Sequence, residues 1–317
     1  RMATHEASTA KVIAFFLLWY ALNVVYNDTN KTVLNVLDLP WTISALQLGL
    51  GLLYITPLWL TGLRKSPALT FSDLIATVPT ALIHAAGQCV TVASIGTGSI
   101  AFVNVVKALE PFFNVVFGAI IMKDVLPWQV NICLVPVVAG VAIASAADLS
   151  FTWECFAYAM GSNFFFSLRG VVSKKSMSSV NASKNMDPGN TFAVLTAIAF
   201  VFTLPVALYL EGHKLTSQWN SAITSGKHTP DDLLLRILGS GFTFYLYNEV
   251  SFYTLGMVHP ITHAVGNTIK RVILILFSVL RFGTPMTAQS ALGSTIAVAG
   301  VFAYSVAKQT FGKTKSK

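Results

Sequence analysis

Four cations stand inside apolar sequence, where a charge is costly. Lys107 lies within Phe102-Val103-Asn104-Val105-Val106-Lys107-Ala108-Leu109. Lys270 and Arg271 lie within the run from His263 to Leu274, and Arg169 near the end of Phe164-Phe165-Phe166-Ser167-Leu168-Arg169-Gly170-Val171. A cation at mid-bilayer costs about 2.5–3.5 kcal/mol on insertion scales, so the unpaired set would cost on the order of 10 kcal/mol. That rivals the whole stability of a domain, about 5–15 kcal/mol. Snorkelling to the interface suits Arg169, a turn from Ser173-Lys174, but not Lys270 and Arg271, which have apolar sequence for two turns or more on either side. Internal pairing is the other remedy. The in-span carboxylates are Glu110 and Glu249, and Glu110 is one turn from Lys107, the spacing of an intrahelical pair. If both acids pair, about two of the cations keep no counter-charge.

The remaining reading is an anion-binding cavity. Arginine offers a planar fork for two oxygens and lysine a mobile point charge, a combination better matched to phosphate than to a halide. Polar companions are expected from His84, Gln88, Thr91, Tyr245, Tyr247 and Asn248. Tyr247 can reach a sugar hydroxyl or a carboxylate. Each of the six could equally serve as a structural hydrogen-bonding group.

Other chemistry finds little support. A membrane-embedded phosphotransferase needs a carboxylate cluster for a metal or a nucleophile beside a base, and two isolated in-span acids do not supply one. No cofactor and no metal are expected. Gly96-Thr97-Gly98 and Gly239-Ser240-Gly241 resemble phosphate loops only superficially, since no GxxxxGK[ST] follows. Cys89, Cys133 and Cys155 lack CxxC spacing and read as small buried hydrophobes. His263 reads as a hydrogen-bonded interior histidine rather than a proton carrier.

The elements that must hold these residues follow from composition. Of 317 residues, 54% are hydrophobic and 11% charged, with mean hydropathy +0.65. Soluble domains carry roughly 25% charged residues, so this chain cannot cover a water-facing surface and lipid is its solvent. The net charge is +8, but the basic residues are scattered through apolar segments, which fits nucleic acid poorly. A spanning helix takes about 20 residues. Spans are expected at 11–31, 40–61, 73–95, 98–121, 127–147, 152–173, 190–210, 231–256, 260–281 and 287–308, with loops at Lys174–Asn190 and Glu211–Pro230. An even count puts both termini on one side. That side then carries about twelve Lys and Arg and the other about five, orienting the termini toward the cytoplasm-like compartment. The Asn181-Ala182-Ser183 sequon falls on the positive side, where glycans are not added. The apolar run from Val12 follows no recognisable secretory or transit signal, and Arg1 ahead of Met2 suggests a trimmed or engineered start.

The chain also repeats itself weakly. Val138-Ala139-Gly140-Val141 recurs as Val298-Ala299-Gly300-Val301, an offset of about 160 shared by Ser94-Ile95-Gly96 with Thr254-Leu255-Gly256 and by Thr91 with Ser251. Two five-helix halves follow, and five being odd, they are inverted, the build of many secondary transporters with a midplane site. Lys107 belongs to the fourth span and Lys270-Arg271 to the ninth, equivalent positions in the two halves. The expected fold is an all-α integral membrane protein of ten transmembrane helices in two inverted five-helix repeats. It is one domain over 1–317, with halves 1–150 and 151–317.

At Lys107-Ala108-Leu109-Glu110-Pro111-Phe112-Phe113, at Thr262 through Val272, at Ser162-Asn163 through Ser173-Lys174-Lys175 and at Tyr245-Leu246-Tyr247-Asn248, the chain resembles the plastid phosphate translocators. The triose-phosphate/phosphate type is the nearest, within the drug/metabolite transporter superfamily. The resemblance spans nearly the whole chain. It implies ten helices and antiport of inorganic phosphate against phosphorylated three-, five- or six-carbon compounds. It implies that Lys107, Lys270, Arg271 and Thr91 hold phosphate, and that Arg169 and Tyr247 contact the rest of the substrate. Lys-Ala-Leu-Glu-Pro speaks for a three-carbon substrate, the hexose type tending to Lys-Ser-Gly-Glu-Pro. Gln88 stands where the triose type usually has histidine and the phosphoenolpyruvate type an amide, so it leaves the choice open. Val250-Ser251 leans toward the phosphoenolpyruvate and hexose types, and the 181–190 loop is longer than usual, which fits an unusual or broad specificity. The resemblance implies a multi-pass protein of the plastid inner envelope, from a chloroplast or a secondary plastid, with lipid around it and functional as a monomer. The alternatives are a transporter of nucleotide sugars or other phosphorylated metabolites in the same superfamily, and an anion channel.

Overall fold

The computed structural model describes residues 9–176, 185–226, 228–258 and 260–312. Among them the chain is helical, without strands. The helices are α1 (Thr9–Leu34), α2 (Pro40–Leu60), α3 (Phe71–Thr97), α4 (Ile100–Val106), α5 (Glu110–Ile121), α6 (Trp128–Asn131), α7 (Leu134–Ala147), α8 (Trp153–Ser176), α9 (Pro188–Glu211), α10 (Leu215–Thr224), α11 (Pro230–Met257), α12 (Pro260–Phe282) and α13 (Ala288–Phe311). Eight helical stretches among the described residues are long and apolar enough to cross a membrane. The α8 and α11 helices, 24 and 28 residues, are long enough but carry more polar side chains. Large apolar residues such as Leu53, Ile120, Val201, Leu235 and Leu280 point outward, the surface expected against lipid rather than water.

Local sequence accounts for the breaks. The expected span at 98–121 is interrupted by a 3-10 turn at Lys107–Leu109 that joins α4 to α5. Pro111 has no N–H to give the Lys107 carbonyl, so the Glu110 N–H takes that carbonyl instead. The same substitution recurs in the next span, where the Val135 N–H bonds Ile132 one residue before Pro136. Two expectations change. The first span, expected to end at residue 31, runs on to Leu34 as α1, where Lys31 Nζ finds interior partners in the carbonyls of Ile95 (2.8 Å) and Gly98 (2.9 Å). The 211–230 loop contains α10, whose Leu215, Trp219, Ala222 and Ile223 form a helical stripe packed on the core. The expected loop at 174–190 is shortened at both ends by α8 and α9; its residues 177–184, with the sequon, lie outside the described residues.

Packing repeats between the halves. The α1–α11 contact has its counterpart in α8–α3, and α2–α11 in α9–α3. Exchanging the halves maps the α2–α9, α4–α12 and α7–α13 contacts onto themselves. The two glycines of the repeated motif both sit in the α7–α13 contact. A Cβ on Gly140 would lie 2.4 Å from the Ala297 nitrogen, and one on Gly300 2.9 Å from the Val137 nitrogen. Small residues let these backbones touch, the way membrane helices associate without a hydrophobic driving force.

Candidate functional site

The helices α1, α3, α4, α8, α11 and α12 surround a central cavity of about 220 Å³. Lys107, Arg169, Lys270 and Arg271 all line it, with Glu110, Thr91 and Tyr247. Lys107 reaches the wall from the 3-10 turn that precedes Pro111, and α8 supports that turn. Turning to the 3-10 pattern frees the Val106 carbonyl, and Asn163 Nδ2 donates to it at 2.9 Å. Ser167 Oγ donates to the Glu110 carbonyl at 3.2 Å. Asn163 of α8 thus satisfies a carbonyl that the broken membrane helix exposes.

Each cation has its own setting. Lys107 Nζ donates to Thr91 Oγ1 at 3.3 Å, and that hydroxyl donates to the Gly87 carbonyl at 2.7 Å. Lys107 and Arg169 both rest on Phe166, at 5.4 and 5.0 Å from its ring centre. Arg169 Nη1 lies 3.0 Å from His84 Nδ1. As guanidinium only donates, Nδ1 is the acceptor and the histidine proton sits on Nε2. Lys270 Nζ lies 5.0 Å above the Trp19 ring, and Trp19 stacks on His263 at 4.8 Å. Such cation–π contacts contribute about 0.5–2 kcal/mol each, less than the desolvation they accompany. Arg271, 6% exposed, is ion-paired with Glu110 across the halves.

The pairing differs from expectation. Glu110 binds Arg271 of α12 and not Lys107, although both Lys107 and Glu110 face the cavity. Glu249 is held by Arg64 of the α2–α3 loop at 2.5 Å, off the cavity. Burial lowers the Arg64 pKa, but the Glu249 carboxylate outweighs it and the net direction is upward. So one of the four cavity cations, not two, has a carboxylate partner among the described residues. Arg169 faces the cavity rather than snorkelling.

Of the seven expected site residues, six line the cavity; Gln88 does not. Its amide donates to Gln47 Oε1 at 2.8 Å and to the Tyr26 hydroxyl at 3.3 Å, one layer behind the wall, with Tyr26 in front. His84 likewise stands behind Arg169, while Asn248 reaches the wall. Tyr245 is fully buried against Gly51 and Phe192. His263 lines the cavity, 3.3 Å from the Ser251 hydroxyl. Sequence reasoning missed Asn23, Asn27, Asn104 and Asn267 on the wall. Their signal was available: asparagine inside an apolar span is costly unless partnered. Cys89, Cys133 and Cys155 are free thiols, and no group of His, Cys, Asp and Glu suited to a metal occurs among the described residues.

By its charge and hydrogen-bond donors, a cavity with this lining is suited to a small, multiply charged oxyanion. The planar Arg271 and Arg169 heads can each grip two oxygens, and the lysines neutralise the rest. Comparison with known proteins bears on which oxyanion. The "Triose-phosphate Transporter family" matches residues 10–305. The chain is 37% identical over 310 residues to "Phosphoenolpyruvate/phosphate translocator 1, chloroplastic" of Oryza sativa subsp. japonica, covering 98% of this chain and 75% of that protein. It is 37% identical over 302 residues to "Triose phosphate/phosphate translocator, non-green plastid, chloroplastic" of Brassica oleracea var. botrytis, covering 95% and 74%. One solved structure, described only as a crystal structure of a protein, shares the fold at TM-score 0.53 and 14% identity, over 97% of this chain and 98% of its own.

Proposed function

The chain belongs to the triose-phosphate transporter family, and from that premise we propose that it exchanges inorganic phosphate for phosphorylated three-carbon metabolites. Triose phosphate, 3-phosphoglycerate and phosphoenolpyruvate are the candidates, the names of the relatives covering two of the three. It is a transporter and not an enzyme. Its setting is the plastid inner envelope, as a multi-pass protein in lipid, acting as a monomer. Counting α8 and α11 as spans gives ten, in two inverted halves with the cavity between them.

The observation that carries this reading is one cavity where the fourth and ninth spans, equivalent in the two halves, both contribute cations. In the proposed site Lys107, Thr91, Lys270 and Arg271 hold the phosphate. Arg169 and Tyr247 contact the rest of the substrate, and Gln88 acts through Tyr26. Exchange follows from electrostatics. Closing both ends around uncompensated cations desolvates them, at several kcal/mol per ion. A bound phosphate dianion compensates them and lets the halves rock through the occluded state, so loaded transit is fast and empty transit slow. No external energy source is needed. A further observation favours small substrates over nucleotide sugars. The cavity, about 220 Å³, is smaller than the roughly 300–1,000 Å³ typical of pockets for drug-sized ligands.

The test is uptake of labelled phosphate into proteoliposomes loaded with phosphate, triose phosphate, 3-phosphoglycerate, phosphoenolpyruvate, glucose 6-phosphate or nothing. Uptake only into vesicles holding phosphate or a three-carbon phosphate is expected. Equal uptake into empty vesicles means a channel or uniporter and overturns the reading.

A further inference from the structure

Among the described residues, Glu110 is the one carboxylate on the cavity wall, facing four cations. Its side chain is 29% exposed while that of its partner Arg271 is 7% exposed, so the acid is the accessible member of the pair. Both residues also line a second cavity of about 170 Å³ between α5, α12 and α13, toward Lys308. The ion pair is therefore a partition reached from two sides. Lys107, Arg169 and Lys270 are in no ion pair among the described residues. A wall of four cations and one carboxylate has a formal surplus of three positive charges.

We propose that Glu110 is the charge-selecting residue of the exchanger: a built-in carboxylate that holds Arg271 until a substrate phosphate replaces it, and that disfavours substrates bearing a further negative charge. This rests on the reading that the cavity binds substrate phosphate. Phosphate and triose phosphate enter as dianions. A phosphorylated three-carbon acid adds a carboxylate, which in a cavity this small stands within a few ångströms of Glu110. Like charges that close disfavour each other's ionised forms, and with little water between them the repulsion is poorly screened. Glu110 thus lowers affinity for trianions more than for dianions, and keeps the two classes comparable enough to exchange for one another. Its loss leaves the wall one charge more positive and Arg271 without an internal competitor.

The experiment compares wild type with Glu110→Gln and Glu110→Asp in proteoliposomes, at a pH where every substrate is fully ionised. Inhibition of labelled phosphate uptake is measured with triose phosphate and with 3-phosphoglycerate. The expected result is a shift of the ratio of the two inhibition constants by about tenfold toward the acid in E110Q, about 1.4 kcal/mol, with the wild-type ratio kept in E110D. An unchanged ratio in E110Q, whatever its maximal rate, overturns the proposal. If E110Q does not exchange, the same ratio is read from thermal stabilisation of the detergent-purified variant by the two compounds. An E110Q protein stabilised by neither also overturns the proposal, because the carboxylate then builds the site instead of tuning it. Failure of wild type itself to exchange phosphate removes the underlying reading, a distinguishable outcome.

Discussion

Lys107, Arg169 and Lys270 meet the cost of a cation in apolar surroundings in one way: each rests on an aromatic face and turns toward a shared polar cavity. Arg271 alone among them has a carboxylate partner in the described residues. The chemical types and their improbability in lipid were plain in the sequence. Their partners were not, because partners come from other helices. Glu110 was legible as a neighbour of Lys107 three residues away, yet it binds Arg271, 161 residues distant. Lys270→Gln or Arg271→Gln is expected to abolish exchange while the protein still inserts and purifies. The check is labelled phosphate uptake into phosphate-loaded vesicles, and normal exchange by both variants would remove these residues from the site.

The element that positions the site is the broken span from Ile100 to Ile121. Pro111 makes the break readable, since a proline in a helix frees the carbonyl four residues back. The Glu110 N–H takes that carbonyl and thereby leaves the Val106 carbonyl open; what repairs this was not readable, since Asn163 of α8 supplies the missing donor. Asn163→Leu is expected to leave the buried Val106 carbonyl unpaired and to cost about 1–3 kcal/mol. Thermal unfolding in detergent measures it, and an unchanged midpoint would mean the carbonyl finds another donor. The α10 helix carries the opposite lesson. Its Leu215, Trp219, Ala222 and Ile223 stripe was present in the sequence, but charged and polar flanks masked it as loop.

At the scale of the molecule, packing repeats under exchange of the halves: α1 on α11 as α8 on α3, with α4 on α12 and α7 on α13 closing the set. In the proposed exchanger, such repeated packing would let the halves rock between two arrangements of similar energy. The cavity, about 220 Å³, is small for a bulky ligand. Nucleotide sugars are therefore expected not to compete with labelled phosphate, while three-carbon phosphates do. Competition by a nucleotide sugar at concentrations comparable to phosphate would favour the alternative substrate class.

The sequence by itself determined the solvent, the helical class and the approximate helix positions. Each of these is a local or summed property: hydropathy over about 20 residues, proline positions, charge counts. It also singled out the four cations, because a charge in an apolar run is anomalous wherever the run folds. Only the tertiary structure decided that Glu110 joins Arg271 and that Glu249 leaves the cavity for Arg64. It alone placed Gln88 behind Tyr26 rather than on the wall. The reason is geometric. Which side chain meets which across two helices depends on their rotation and depth, and small shifts in either exchange one partner for another without changing any local pattern.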